Sequence, residues 1–271
     1  MPDEAQPLLE ARLSVRLGGV AVLRDVHLRL ERGRCTGLVG QSGSGKSTLG
    51  LALTGLLGGH ARVEGSILFE GEQLLGQRER QWQALRGRRI ALVLQSASSA
   101  LNPALRISTQ FEEAWRAHSR QPWAGARAWV CELLRGFDLP EDDGFLRRYP
   151  AQVSVGQAQR ILIAMALLHR PDLLIADEVT SALDFLTQRE VVASLRRANR
   201  EWGVAVLHIT HDLLSVPGLC DEIVVLEKGV VVESGPSARI LEEPAQEYTR
   251  RLMSALRSVR SGAGEPALGP F

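Results

Sequence analysis

Polar and apolar positions alternate with a period of two from Ala11 to Leu30, through LSVRL and VAVLRDVHLRL with Gly18-Gly19 between them. That period turns one face of a strand toward a core, and it predicts an antiparallel β-hairpin or meander with one buried side. Residues 1–10 read as an extension ahead of it. Short strand-like runs follow at Arg34–Val39, Val63–Phe69 and Ile90–Leu94. Ser47–Leu57 has helical character, with Gly58-Gly59 as its C-terminal break. From Pro103 to Pro150 the spacing turns helical, which predicts a separate helical subdomain over about residues 96–170 and assigns Trp115, Trp123 and Trp129 to core packing. A helix at Gly156–Arg170, a buried strand at Leu173–Ala176, an amphipathic helix at Asp184–Trp202 and a buried strand at Val204–Ile209 complete the pattern. Apolar strands bounded by amphipathic helices require a parallel sheet covered on both faces, so the predicted core is α/β. Residues 258–271 have little to bury and read as a loose tail, which leaves 11–257 as a single domain.

Composition narrows the function. The chain has 271 residues, 45% of them hydrophobic, with 32 basic and 31 acidic side chains. Such a chain folds, and its formal charge of +1 excludes coating of nucleic acid or an anionic membrane as its main work. Cys35, Cys131 and Cys220 lie too far apart in sequence for a CxxC or a metal-ligand spacing and read as reduced thiols of a cytosolic protein. The apolar stretch Ile161–Leu168 is far short of the roughly 20 residues that span a bilayer, and the acidic N-terminus does not resemble a signal peptide. The expectation is a chain that neither crosses a membrane nor is exported and that meets one through partners.

The candidate chemistry starts at GQSGSGKS, a G-x-x-x-x-G-K-[ST] pattern between a strand and a helix. Backbone N–H groups of Gly40, Gln41, Ser42, Gly43, Ser44 and Gly45 would surround an anion at the positive end of the helix dipole. Lys46 would reach the β and γ phosphates, Ser47 would ligate Mg²⁺, and Thr48 would assist. For this composition about 0.002 chance matches are expected. Lys46 and Lys228 are the only lysines against 30 arginines. A compact ammonium fits a backbone cradle where a planar guanidinium does not. The apolar strand LLIA ends in Asp177 and Glu178, placed to hold Mg²⁺ and to polarise an attacking water. Gln95 and His211 also follow strands, and open α/β sheets bind ligands at that edge. His208, inside its strand, reads as a core histidine.

Taken together, the P-loop, Gln95, VSVGQ at Val153–Gln157, LLIADE, SALD at Ser181–Asp184 and His211 resemble the ATP-binding cassette (ABC) ATPases over residues 10–257. The resemblance implies a P-loop NTPase with a RecA-like core, an antiparallel β-subdomain and an inserted helical subdomain. It also implies two cassettes closing head to tail on ATP and Mg²⁺. Ser154, Val155, Gly156 and Gln157 would then act in trans on the γ-phosphate, and Asp184 would carry information between sites. On residue type alone SVGQ reads first as a helix-capping box. A narrower resemblance, through SSALNP, YPAQVSVGQAQRILIAMAL and EEPAQEYTRRLM, is to the dipeptide, oligopeptide and nickel importer branch. It implies a second ATPase subunit, of a different or the same chain, and two permeases fed by an extracytoplasmic binding protein, with the protein on the cytoplasmic face of the inner membrane. The cysteine cluster that many peptide-branch members carry is missing, which tilts this reading toward nickel or a metal chelate. Leu17 stands where the family stacks an aromatic residue on adenine. Val153, Val155 and Val179 replace the usual Leu, Gly and Pro. The competing readings are a scaffold ATPase of a soluble complex, such as phosphonate-degrading machinery, and a nucleotide-binding module without catalysis.

Overall fold

The computed structural model describes residues 6–95, 100–181 and 183–262. Residues 96–99, which include the first two positions of the SSALNP segment, and Ala182 of SALD lie outside them, as do residues 1–5 and 263–271. The alternating N-terminal stretch forms the hairpin β1 (Leu9–Leu17) and β2 (Val20–Leu30), joined by β4 (Ala61–Phe69) and β5 (Glu72–Gln73) in an antiparallel sheet of order β2-β1-β4-β5. The first strand corrects the expected extension at 1–10. Leu9 pairs with both Leu30 and Phe69 and is fully buried, and Leu8 is buried beside it, so these two complete the apolar face that Ala11 continues.

A second sheet has order β10-β9-β3-β8-β7-β6, from β3 (Cys35–Val39), β6 (Ile90–Val93), β7 (Leu173–Asp177), β8 (Ala205–Thr210), β9 (Glu222–Glu227) and β10 (Val230–Pro236). It is parallel apart from β10. Both faces are covered, as its continuous apolar strands require. Leu173, Ile175, Leu207 and Ile209 face α1 (Lys46–Leu53) and the antiparallel sheet, while Leu174, Ala176 and Val206 face helices on the other side. Helix α1 stops at Thr54, not at Gly58-Gly59. Thr54 Oγ1 donates back to the Gly50 carbonyl at 3.1 Å, Gly55 turns left-handed at φ +62°, and the Trp82 ring of α2 (Glu79–Leu85) closes against it.

The helical region comprises α3 (Ile107–His118), α4 (Trp123–Gly136), α5 (Asp143–Leu146) and α6 (Val155–Ala166). Helix α6 ends short of the predicted Arg170, which adopts φ +50°. The three tryptophans pack against the core as expected, Trp129 edge-on to Trp202 and Trp115 stacked on His169. After α7 (Phe185–Trp202) and α8 (Ser237–Glu242), α9 (Glu247–Gly262) continues past Ser258, so residues 258–262 of the expected tail are helical.

At the sheet end away from the P-loop, Arg89 donates to Glu70 at 2.6 Å and to Asp172 at 2.8 Å, and Arg32 also pairs with Glu70. This network ties the antiparallel sheet to the feet of β6 and β7. Hydrogen bonds from Arg89 first, and then Arg32, hold the Glu70 carboxyl down at about 2 against the opposing effect of burial. A depressed carboxylate contributes stability that is full above its unfolded value, near 4.5, and is lost as pH falls toward 2. Glu70→Gln is therefore expected to lower the melting temperature at pH 7, with the gap to the parent closing between pH 4.5 and 2. A gap that stays constant on acidification rejects this account.

Candidate functional site

The P-loop, Asp177-Glu178, Gln95 and His211 all leave the carboxyl edge of the parallel sheet. Val39 pairs with Thr210 and Asp177 with Ile209, so Gly40, Glu178 and His211 emerge side by side. Val93 pairs with Ala176, and continuing that register sets the exposed Gln95 alongside Glu178.

Lys46 is only 4% exposed. Its Nζ donates to the carbonyls of Gly40 at 2.9 Å and Gln41 at 3.0 Å and lies 4.0 Å from Glu178 Oε1. Burial lowers its pKa, and the charges of Glu178 and Asp177 act in the opposite direction. Ser47 Oγ donates to Asp177 Oδ1 at 3.2 Å. Burial raises the Asp177 carboxyl, the neighbouring Glu178 charge adds to that rise, and the Ser47 bond and Lys46 oppose it. Both buried charges are thus costly as they stand, and a bound polyphosphate with its cation answers both.

Glu178 has φ +49°, uncommon for a residue with a side chain. Its N–H donates to the Ile209 carbonyl at 2.8 Å, and its carbonyl accepts from the N–H and Oγ of Ser181 at 3.0 and 2.8 Å. These bonds hold the turn that presents Glu178 Oε1 to His211 Nδ1 at 3.2 Å. A cleft of about 110 Å³ opens beside the pair, lined among others by Ser181, Gln188 and Asp212.

The loop fits a phosphate by two further observations. Ser44 Oγ is buried with no hydrogen-bond partner among the described residues, leaving a donor uncommitted inside the loop. A Cβ at Gly40 would lie 2.2 Å from the Leu226 carbonyl oxygen, so only glycine lets the loop fold this tightly. Among the described residues no three His, Cys, Asp or Glu side chains cluster as a metal cage. Ser47 and Asp177 instead offer the few oxygen ligands that Mg²⁺ takes when phosphates supply others.

The remaining site residues sit apart from Lys46, at the starts of α6 and α7. Ser154 Oγ accepts from the Gln157 N–H at 3.1 Å and Gln157 Oε1 from the Ser154 N–H at 3.0 Å, the reciprocal capping box. Val155 opens α6 with helical backbone, 61% exposed. A Cβ at Gly156 would lie 2.2 Å from Thr187 Cγ2 of α7, so this glycine lets the two helix starts meet. Asp184 caps α7, accepting from Thr187 Oγ1 at 2.7 Å and from the N–H groups of Leu186 and Thr187. Those bonds, the Thr187 hydroxyl first, hold its carboxyl below the usual range. Leu17 lies at the end of β1, 36% exposed, while Leu23 of β2 is the apolar side chain packed at Gly45. The sequence reading also missed Tyr248 of α9, whose hydroxyl accepts the Gln41 N–H at 3.0 Å. No local pattern announces a contact between residues so far apart in the chain.

A Lys-bearing glycine loop facing a Ser–Asp pair at the carboxyl edge of a parallel sheet, with an antiparallel sheet and a helical insertion, defines a P-loop ATPase cassette. Residues 23–181 match the family model described as ABC transporter, and the chain belongs to that family. It is 37% identical over 269 residues to the oligopeptide transport ATP-binding protein OppD of Salmonella typhimurium, covering 97% of this chain and 80% of that one. It is 40% identical over 238 residues to the probable D,D-dipeptide transport ATP-binding protein DdpD of Escherichia coli, covering 87% and 73%. Among solved structures, cbiO1 of Clostridium perfringens, part of the ABC transporter complex cbiONQ, superposes with a TM-score of 0.75 at 25% identity, over 94% and 97% of the two chains. The dimeric, post-hydrolysis ATP-binding cassette MJ0796 with ADP and Pi gives 0.72 at 26% identity, over 84% and 98%.

Proposed function

We propose that this chain is the ATP-hydrolysing subunit of a bacterial ABC importer for peptides. The observation that carries the hydrolytic part is the cluster in which Lys46 and His211 both approach Glu178 while Ser47 pairs with Asp177. The peptide cargo follows the names of the relatives, which outweigh the tilt toward nickel drawn from a missing cysteine cluster.

In this reading Lys46 exchanges its two loop carbonyls for the β and γ phosphates of ATP. Ser47 and Asp177 would hold Mg²⁺, with Gln95 beside them, and when bound this ion neutralises phosphate charge. Glu178 takes a proton from the water whose oxygen attacks the γ-phosphorus as the bond to the β-phosphate oxygen breaks. His211 orients Glu178 and contacts the γ-phosphate. Ser154, Val155, Gly156 and Gln157 of a second cassette complete the site, consistent with the exposed N-terminus of α6. That cassette, different or identical in sequence, and this one drive two permeases that a binding protein feeds from outside. No helix among the described residues is long and apolar enough to cross a membrane. In the proposed assembly the permeases supply the membrane contact on its cytoplasmic side.

Reconstitution tests this directly. Copurification with two permeases, together with phosphate release in nanodiscs that rises severalfold when a peptide-loaded binding protein is added, is the expected result. Recovery in a soluble multi-subunit enzyme would favour the scaffold reading. An assembled complex that binds ATP without releasing phosphate would reject the hydrolytic one.

A further inference from the structure

The C-terminal helix reaches the phosphate loop. Helix α9 follows a turn fixed by Glu233 of β10, whose buried carboxylate accepts the N–H groups of Ala245 at 2.9 Å and Gln246 at 3.0 Å. Tyr248, one turn further on and 8% exposed, is thereby held with its hydroxyl against the Gln41 N–H at 3.0 Å. The carbonyl of the same Gln41 accepts from Lys46 Nζ at 3.0 Å and from the Ser44 N–H at 3.2 Å. Gln41 therefore stands between the ammonium and the hydroxyl of α9. The same helix also packs against the turn Leu213–Ser215 that follows His211.

We propose that Tyr248 is a positioning residue for the phosphate loop, fixing the Gln41 residue and coupling α9 to the exchange of Lys46 between loop carbonyls and nucleotide. This rests on Lys46 as a phosphate ligand. Lys46 also donates to the Gly40 carbonyl at 2.9 Å, which shares a peptide group with the Gln41 N–H, so its departure for a phosphate alters the bond that Tyr248 accepts. Without the hydroxyl the exposed Gln41 relaxes toward water in the empty loop, and nucleotide must reorder it on binding. A tyrosine retained only for core packing would need its ring and not its hydroxyl.

Tyr149 and Tyr248 are the only tyrosines, so the full chain labelled with 3-fluorotyrosine gives two ¹⁹F resonances, and Tyr248→Phe removes and assigns one. Saturating MgADP is expected to shift the Tyr248 signal and leave that of the half-exposed Tyr149 in place. In the unlabelled protein, Tyr248→Phe is expected to weaken ADP binding roughly threefold to tenfold, the loss of one net hydrogen bond, with the nucleotide-free melting temperature unchanged. In the assembled ATPase the same variant raises KM for ATP and leaves kcat alone. ADP binding shown by calorimetry without a shift at Tyr248, or parent affinity in Tyr248→Phe, overturns this proposal alone. A parent protein that binds no ADP overturns the nucleotide reading, and this proposal with it.

Discussion

Glu178→Gln is expected to bind MgATP with the parent's affinity while phosphate release falls by about 10²–10⁴-fold, the range lost with a positioned general base. The side chain sits within 3.2 Å of His211 Nδ1 and 4.0 Å of Lys46 Nζ, on a backbone turn pinned from Ile209 and Ser181. An amide of the same shape keeps the turn and the packing. It removes one thing, a carboxylate able to take a proton as water attacks. The measurement pairs equilibrium ATP binding with phosphate release in the assembled complex. Equal loss of both would mean that Glu178 works by holding the loop, through Lys46, and unchanged turnover would remove it from the chemistry.

What could be read from the sequence divides along physical lines. The P-loop was legible because its chemistry is local: eight consecutive residues carry the turn, the charge and the cation ligand. The α/β core was legible because strands buried on both faces read as continuous apolar runs. Elements with too little length to show a period were not, as with β5, two residues long, and α2, seven. The end of α1 was misplaced for another reason. The glycine that turns the chain is Gly55, and what selects it over Gly58-Gly59 is the Trp82 ring arriving from a helix the pattern did not reveal. Leu8 and Leu9 looked like the end of an extension until the pairing with Leu30 and Phe69 gave them a buried face. The site shows the same division. Ser47 was assigned from the P-loop pattern and Asp177, Glu178 and His211 from strand ends, and the structure joins Ser47 to Asp177 and Glu178 to His211. Tyr248 at Gln41 and Thr187 at Gly156 depend on how distant helices dock, which no single window of sequence contains. The two readings of SVGQ do not exclude each other, since the capping box that forms α6 leaves Val155 at the helix start exposed.

Lys46→Arg, conservative in charge and matched to the composition of a chain with 30 arginines, is expected to cost at least about 30-fold in ATP affinity and about 100-fold in turnover. Lys46 is held by two carbonyls on adjacent residues of one tight loop, and its surroundings leave 4% of it exposed. A guanidinium is wider, planar and built for two parallel acceptors, so it cannot occupy that position without opening the loop at Gly40, where Leu226 already sets the limit. The two side chains also differ in how they tolerate burial. Lysine can relieve part of the cost because its pKa is free to fall, and here burial lowers it, whereas arginine stays charged. The nucleotide-free Lys46→Arg protein should therefore melt below the parent, and calorimetry with MgATP should show weak binding even where the variant is folded. Parent-like binding by Lys46→Arg would show that charge alone suffices at this position, and that the scarcity of lysine elsewhere in the chain says nothing about why one stands here.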